Sequence, residues 1–361
     1  MKNTSGLAMA NAKRYVALDG LRGLLAITVV IHHYAQLYHV NWMGKAWISV
    51  DAFFILSGFV ITHSYAAKIQ SGMRFSEFAK SRLLRLYPMY LVGLALGLTG
   101  LLFAIQDTNV SLLDLFFSTL VGLLILPYFN HLAWPIAGAV HTGTIFPMND
   151  PAWSLFFELF VNFLFFAWIV QVKRWSGKLI LGTAFVLYLW AAQIFGIHSG
   201  WGTDNFMGGI PRVILYFSLG CFIYSIHLKV SKQALYRAAF LAVLLIAGFS
   251  LKNTAATYFL LLVVSPLAIL VASRTEITDS PFIAATLTRL GSMSYPLYIT
   301  HFPLAIFSYW VLNATGISTG MSVFISTLFA LAVSIPLSVI EPRLRGRLTA
   351  LFNPAKARSV A

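Results

Sequence analysis

Apolar runs of about 20 residues, the length a helix needs to cross a bilayer, follow one another from residue 20 almost to the C-terminus. No other feature limits the fold so strongly. They fall at 20–39, 47–67, 86–105, 152–172, 178–196, 211–228, 236–251, 255–273, 290–312 and 320–340. Composition leaves no soluble alternative: 59% of the 361 residues are hydrophobic and only 10% charged, whereas a soluble domain carries about a quarter charged residues. Backbone that crosses lipid must satisfy its own hydrogen bonds. The chain therefore reads as an all-α polytopic membrane protein of about ten transmembrane helices.

Charge decides an eleventh run, 111–128. With Lys13 and Arg14 in the cytoplasm, the first three spans put Lys68, Arg74, Lys80, Arg82 and Arg85 inside and Gln106–Val110 outside. If 111–128 crossed, Lys173, Arg174 and Lys178 would lie outside. If it does not, that loop falls inside, as do Lys229, Lys232 and Arg237, then Arg274 and Arg289, then Arg343, Arg345, Arg347 and Lys356. The positive-inside rule favours the second arrangement. Both termini are then cytoplasmic, and 111–128 is re-entrant or interfacial. The loop that follows, His131–Asp150, is expected to cover the outer face of a cavity. The N-terminal run is too long for a cleavable signal peptide and contains Arg22.

The organisation expected is a cytoplasmic tail over 1–14, a transmembrane domain over 15–342 and a basic cytoplasmic tail over 343–361. The net charge of +14 sits between apolar segments rather than on an aromatic-interleaved face, so nucleic acid is not expected as a partner. Anionic lipid or a phosphate-bearing substrate is. Cys221, the single cysteine, can form no intramolecular disulfide and reads as a small packing residue.

Ionisable residues inside spans mark functional sites. Arg22 lies near the cytoplasmic end of the first span and His33 about 16 Å further up the helix. Glu158 lies about 9 Å below the outer end of its span, and His301 about 16 Å up from Leu290. Three ionisable groups on three helices thus share a depth in the outer half of the bilayer. His32 points about 100° away from His33. His39, His198 and His227 lie at helix ends and are expected to face water, while His63 is not placed. No close histidine spacing suggests a metal, so none is expected.

Several motifs then line up. Leu18-Asp19-Gly20-Leu21-Arg22-Gly23 precedes His33 with an Arg-x10-His spacing. Val50-Asp51-Ala52-Phe53-Phe54-Ile55-Leu56-Ser57-Gly58-Phe59 follows, then Arg82-Leu83-Leu84-Arg85-Leu86-Tyr87-Pro88, then Trp153-Ser154-Leu155 with Glu158. Ser294-Tyr295-Pro296-Leu297-Tyr298-Ile299-Thr300-His301 and Glu341-Pro342 come last. In this order, on these segments, they resemble the acyltransferase 3 family of membrane-embedded carbohydrate O-acyltransferases, as a stand-alone member without an SGNH domain. The resemblance implies a multi-pass protein of a bacterial inner or plasma membrane. It would move an acyl group, usually acetyl, from cytoplasmic acyl-coenzyme A to a hydroxyl of a cell-surface or lipid-linked carbohydrate, with no tightly bound cofactor.

On that resemblance His33 is the candidate general base, since a neutral imidazole can accept a proton near neutral pH. Glu158 is its expected supporting carboxylate, with Asp51 the second choice. Arg22, Arg82, Arg85 and Tyr87 are assigned to the donor, because arginine binds phosphate bidentately; Arg82 and Arg85 could instead anchor lipid headgroups. His301, Tyr298, Trp153, Ser57 and Arg212 are assigned to the acceptor or pocket. Ser57-Gly58 is expected to allow close helix packing, and a covalent acyl-Ser57 lacks an assignable base. Arg212 could contact an acidic sugar or snorkel. A proton-coupled transporter or flippase would use the same intramembrane His and Glu residues. A purely structural membrane partner would not explain them.

Overall fold

The computed structural model describes residues 14–104, 110–136, 139–171, 176–229, 231–277 and 280–352. Lys13, Gln106, Lys173, Arg174 and Lys356, on which part of the topology argument rests, lie outside these residues, as does nearly all of the 1–14 tail.

Each expected span coincides with helix. The first three are α1 (Val16–Leu37), α2 (Ile48–Gln70) and α3 (Phe75–Ala104). Next come α4 (Leu112–Leu123), α5 (Trp153–Gln171), α6 (Ser176–Phe195), α7 (Phe206–Ile226) and α8 (Leu235–Gly248). The eighth expected span is broken into α9 (Thr254–Phe259), a π-helical turn and α10 (Ser265–Ser273). The chain ends with α11 (Pro281–Asn313) and α12 (Thr319–Phe352). The break has a local cause: Pro266 has no N–H to donate, and at this turn both the Ser265 N–H and its hydroxyl, the latter at 2.9 Å, donate to the Leu260 carbonyl.

Among the described residues, 8 helical segments are long and apolar enough to cross a membrane. Two departures from the expected ten are informative. The segment expected over 236–251 forms a helix of 14 residues, about 21 Å long, which is short for a crossing. α11 is long but less apolar, because Thr300, His301 and several Ser and Tyr dilute it. It is buried over nearly all of 294–306, so protein rather than lipid surrounds it.

Helix α4 has 12 residues and is about 18 Å long, so it falls short of the hydrocarbon core, as the charge argument requires. Its outer face exposes Leu112, Leu113, Phe116, Phe117 and Leu120. Its ends are closed by side chains. Ser111 and Asp114 form a reciprocal capping box. At the other end the Tyr90 hydroxyl donates to the Gly122 carbonyl at 2.5 Å, and the Tyr87 hydroxyl donates to the Leu123 carbonyl. A half-length helix at membrane depth needs such partners for its last carbonyls.

Helices α1, α2, α7 and α11 make the interior, with α1 against α11 and α2 against α7. Helices α6, α8 and α12 turn apolar faces outward. The α2–α7 pair crosses backbone to backbone: a Cβ on Gly58 would collide with the Phe217 carbonyl, and one on Gly220 with the Ile55 carbonyl. The expected packing role of Gly58 is thus met, and Cys221 is buried beside it.

The segment before α5 carries an antiparallel hairpin, β1 (Ala133–Ile136) and β2 (Ala139–Thr142). Its return, Thr144–Asn149, is buried. The Asn149 amide donates to the Ile299 carbonyl at 2.7 Å, and Met148 packs on Gly97, where a Cβ would meet its carbonyl. The loop is thereby wedged between α3 and α11 at one end of the bundle.

Candidate active site

A cavity of about 520 Å³ lies between α1, α2, α3, α5 and α11. Four arginines, Arg14, Arg22, Arg82 and Arg85, stand in its wall against two carboxylates, Asp19 and Glu158. Each arginine is held. Arg22 donates from Nε to the Ser294 hydroxyl at 2.8 Å and from Nη2 to the Gly291 carbonyl at 2.6 Å, and lies 3.2 Å from Asp19. Arg82 pairs with Glu158 at 2.9 Å, and Arg85 pairs with Glu341. Ser57 donates to the same Glu158 oxygen at 3.2 Å. Arg82 is only 9% exposed, and its Nε is buried with no protein partner.

Along α11 the cavity wall runs as far as Tyr298, and Phe53 and Ser154 line it beside that residue. Phe53 and Tyr298 meet edge to face with ring centres 5.6 Å apart. The Tyr298 and Ser154 hydroxyls are 2.8 Å apart. Three residues or about 4.5 Å further along α11 lies His301, fully buried. His301 Nε2 is 3.0 Å from His33 Nδ1, and the Tyr34 hydroxyl donates to the His301 carbonyl at 2.8 Å. Phe302 lies between His33 and the hairpin, with ring centres 5.7 Å from His33 and 6.1 Å from His141. The loop expected to cover a cavity therefore covers the histidine pair. None of its described residues lines the arginine-rich chamber.

Of the residues singled out in the sequence, Arg22, Arg82, Arg85, Ser57, Glu158 and Tyr298 share the cavity wall, and His33 and His301 meet behind it. Asp51, Arg212, Trp153 and Tyr87 do not join them. Glu158 does not support His33: it is committed to Arg82 and Ser57, because equal depth on two helices fixes height but not the direction each faces. Asp51 is engaged by Arg212 through two bonds of 2.7 and 3.0 Å, and Arg212 also donates to the Ser199 carbonyl at 2.7 Å. Arg212 is fully buried between the rings of Trp47 and Trp153, so it neither snorkels nor reaches a sugar. Trp153 is that ring contact rather than a cavity wall. Tyr87 caps α4 and is not in the wall.

His227 does not face water either. It is 2% exposed, with Nδ1 2.6 Å from the Tyr224 carbonyl and Nε2 3.2 Å from the Tyr15 hydroxyl. His63, unplaced by the sequence, lines the cavity with its ring centre 5.2 Å from that of Tyr15. Sequence reasoning gave no role to Asp19, Tyr295 or Glu341, although each sits in a quoted motif. Asp19 had a signal, three residues from Arg22, whereas Tyr295 and Glu341 reach Arg85 only through the fold. No group of three or more His, Cys, Asp or Glu side chains that could hold a metal occurs among the described residues.

A charged chamber inside a bundle of apolar helices, one turn from a histidine pair, defines the candidate site of a multi-pass membrane protein. Comparison with known sequences places it: residues 15–340 match the acyltransferase domain family, and the chain belongs to that family. It is 33% identical over 201 residues to protein 2 in the picA locus of Rhizobium radiobacter, covering 52% of this chain and 100% of that one. It is 24% identical over 345 residues to the O-acetyltransferase OatA of Staphylococcus aureus, covering 86% of this chain. This chain spans about half of OatA, 54% of its length. No solved structure matches the chain.

Proposed function

We propose that this protein transfers an acyl group, acetyl by preference, from acyl-coenzyme A in the arginine-rich cavity to a hydroxyl of a cell-surface or lipid-linked carbohydrate. The observation that carries this reading is the four-arginine wall of one deep chamber. Guanidinium groups bind phosphate through paired N–H donors, and coenzyme A is rich in phosphate. The internal pairs leave capacity, since each guanidinium carries five N–H groups and Arg82 Nε has no protein partner. The volume suits the enclosed part of such a ligand. The name of the staphylococcal relative supports O-acetyl transfer as the reaction class.

The chemistry follows from the two halves of the site. Phosphates on the arginines leave the thin pantetheine arm pointing toward Ser154 and Tyr298, with the thioester next to the histidine pair. The acceptor hydroxyl oxygen attacks the thioester carbonyl carbon while its proton passes to His33. The tetrahedral intermediate then collapses, the carbon–sulfur bond breaks, and the coenzyme A thiolate takes the proton back from the imidazolium. The products are the ester and free coenzyme A.

Titration of purified protein in detergent with acetyl-coenzyme A tests the donor half directly. Arg82→Lys and Arg85→Lys should each weaken donor binding about tenfold, the cost of a charge-assisted hydrogen bond, while leaving acceptor KM unchanged. Unchanged donor affinity in both variants, at normal expression, would return these arginines to anchoring lipid. A protein that neither binds nor consumes acetyl-coenzyme A would leave a proton-coupled transporter as the better reading.

The donor-facing end is proposed to be cytoplasmic, with both termini on that side of a bacterial inner or plasma membrane. A Ser176→Cys variant in intact cells should resist a membrane-impermeant maleimide, because the start of α6 would then face inward. Labelling from outside overturns that topology.

A further inference from the structure

The hydrogen bonds around the histidine pair fix where the protons are. His301 Nδ1 lies 2.7 Å from the Tyr298 carbonyl and 3.3 Å from the Leu297 carbonyl. A carbonyl only accepts, so Nδ1 carries the hydrogen, and in the neutral ring Nε2 presents its lone pair. That lone pair is 3.0 Å from His33 Nδ1. His33 Nδ1 is also 3.0 Å from the Val29 carbonyl, a second acceptor. Both neighbours of His33 Nδ1 therefore demand a donor. The neutral pair has one consistent assignment: each ring holds its hydrogen on Nδ1, and the lone pair of His33 is on Nε2. Among the described residues nothing bonds that nitrogen.

We propose that His301 is a positioning residue that holds His33 in the Nδ1–H tautomer, leaving Nε2 as the atom that accepts the acceptor's proton. The inference deepens the acyl-transfer reading and rests on it for its catalytic meaning. His301 occupies the place expected of Glu158. A group that accepts from the far nitrogen of a catalytic imidazole selects its tautomer and its orientation. Here the acceptor is a neutral ring, itself anchored through its own Nδ1–H to the Tyr298 carbonyl.

The arrangement also specifies what happens on protonation. When Nε2 takes a proton, both nitrogens of His33 carry hydrogen, and the Nδ1–H bond to His301 becomes charge-assisted. His301 needs no proton movement to respond. A neutral supporting group leaves the imidazolium readier to release its proton than a carboxylate would. The leaving thiolate must be reprotonated, so this suits the second half of the reaction. Tyr298 joins the two halves of the site: its side chain lines the cavity and its carbonyl anchors the relay.

Two substitutions separate this role from simple packing. His301→Gln can place an amide oxygen where Nε2 was and keep an acceptor for His33. His301→Asn ends one atom shorter, near the old Nδ1, and loses that acceptor. His301→Asn should lower kcat by about 10², the lower range of general acid–base catalysis, with acetyl-coenzyme A affinity unchanged. His301→Gln should stay within about tenfold of the unmodified protein. Equal losses in both variants, or a loss seen mainly as weaker donor binding, would mean that His301 only fills space and would overturn the proposal. So would normal turnover in His301→Asn.

A second measurement does not depend on activity. Nitrogen-15 NMR of histidine-labelled protein, with His33 assigned by substitution, should show an unprotonated Nε2 and a protonated Nδ1. The His301→Asn variant should shift this balance toward the Nε2–H form. Finding Nε2–H in the unmodified protein overturns the proposal even if transfer is active. If the NMR result holds but no acyl-coenzyme A reaction is detected, the tautomer assignment stands and the acyl-transfer reading fails.

Discussion

His33→Ala is expected to leave a folded protein that binds acetyl-coenzyme A normally and transfers acyl groups 10²–10⁴-fold more slowly, roughly the contribution of a positioned general base. The expectation has two structural supports. His33 is half-buried and outside the cavity wall, so its loss removes no contact to the donor phosphates. Among the described residues its side chain bonds only the His301 ring and the backbone of its own helix, so its truncation leaves no charge stranded. His32→Ala is the matched control. His32 is buried on the neighbouring helix face, with Nδ1 3.0 Å from the Met43 carbonyl. That change should disturb the α1–α2 connection and leave transfer largely intact. Steady-state rates at matched protein levels, with donor affinity measured separately, decide the matter. If His32→Ala abolishes transfer and His33→Ala does not, the base has been misassigned.

How far the sequence reaches is set by what helices encode locally. The spans were legible because bilayer thickness imposes a length and hydrocarbon imposes a composition, and both are one-dimensional. The short α4 was legible for the same reason, through the charges of the loops on either side. Height along a helix could also be counted, which is why His33 and His301 were expected to share a level. What could not be counted was azimuth. Glu158 has the right height, but on α5 it turns toward Arg82 and Ser57, and the residue that reaches His33 comes from α11.

Loop structure and long-range pairing were lost for a related reason. The hairpin at 133–142 has strands of 4 residues, too short for alternation to show. Tyr87 looked like part of a donor motif because it follows Arg85. Its hydroxyl instead satisfies the end of a helix more than thirty residues later, a need that exists only because α4 stops inside the protein. His227 was placed in water because it ends a helix. Nothing local says that Tyr15, 212 residues earlier, supplies it with a hydroxyl. Glu341 was seen only as a motif, and its contact with Arg85 ties α12 to the donor wall.

Asp51→Ala is expected to be among the most destabilising single changes, costing about 3–5 kcal/mol, the typical penalty for breaking a buried ion pair. Asp51 and Arg212 are both fully buried, so water cannot take over the role of the lost partner. The pair's two members are not equivalent. An aspartic acid left alone can neutralise itself by taking up a proton, whereas a guanidinium cannot lose one. Asp51→Ala therefore strands a permanent charge between Trp47 and Trp153, and Arg212→Met, which keeps much of the side-chain volume, should cost clearly less. The double variant should be more stable than Asp51→Ala alone, because it removes the stranded charge. Thermal unfolding in detergent, followed by exposure of the buried Cys221 thiol to a maleimide dye, measures all three. Greater loss in Arg212→Met than in Asp51→Ala would refute the asymmetry. If Asp51→Asn kept full thermal stability but lost acyl transfer, Asp51 would act in the chemistry rather than hold α2 against α7.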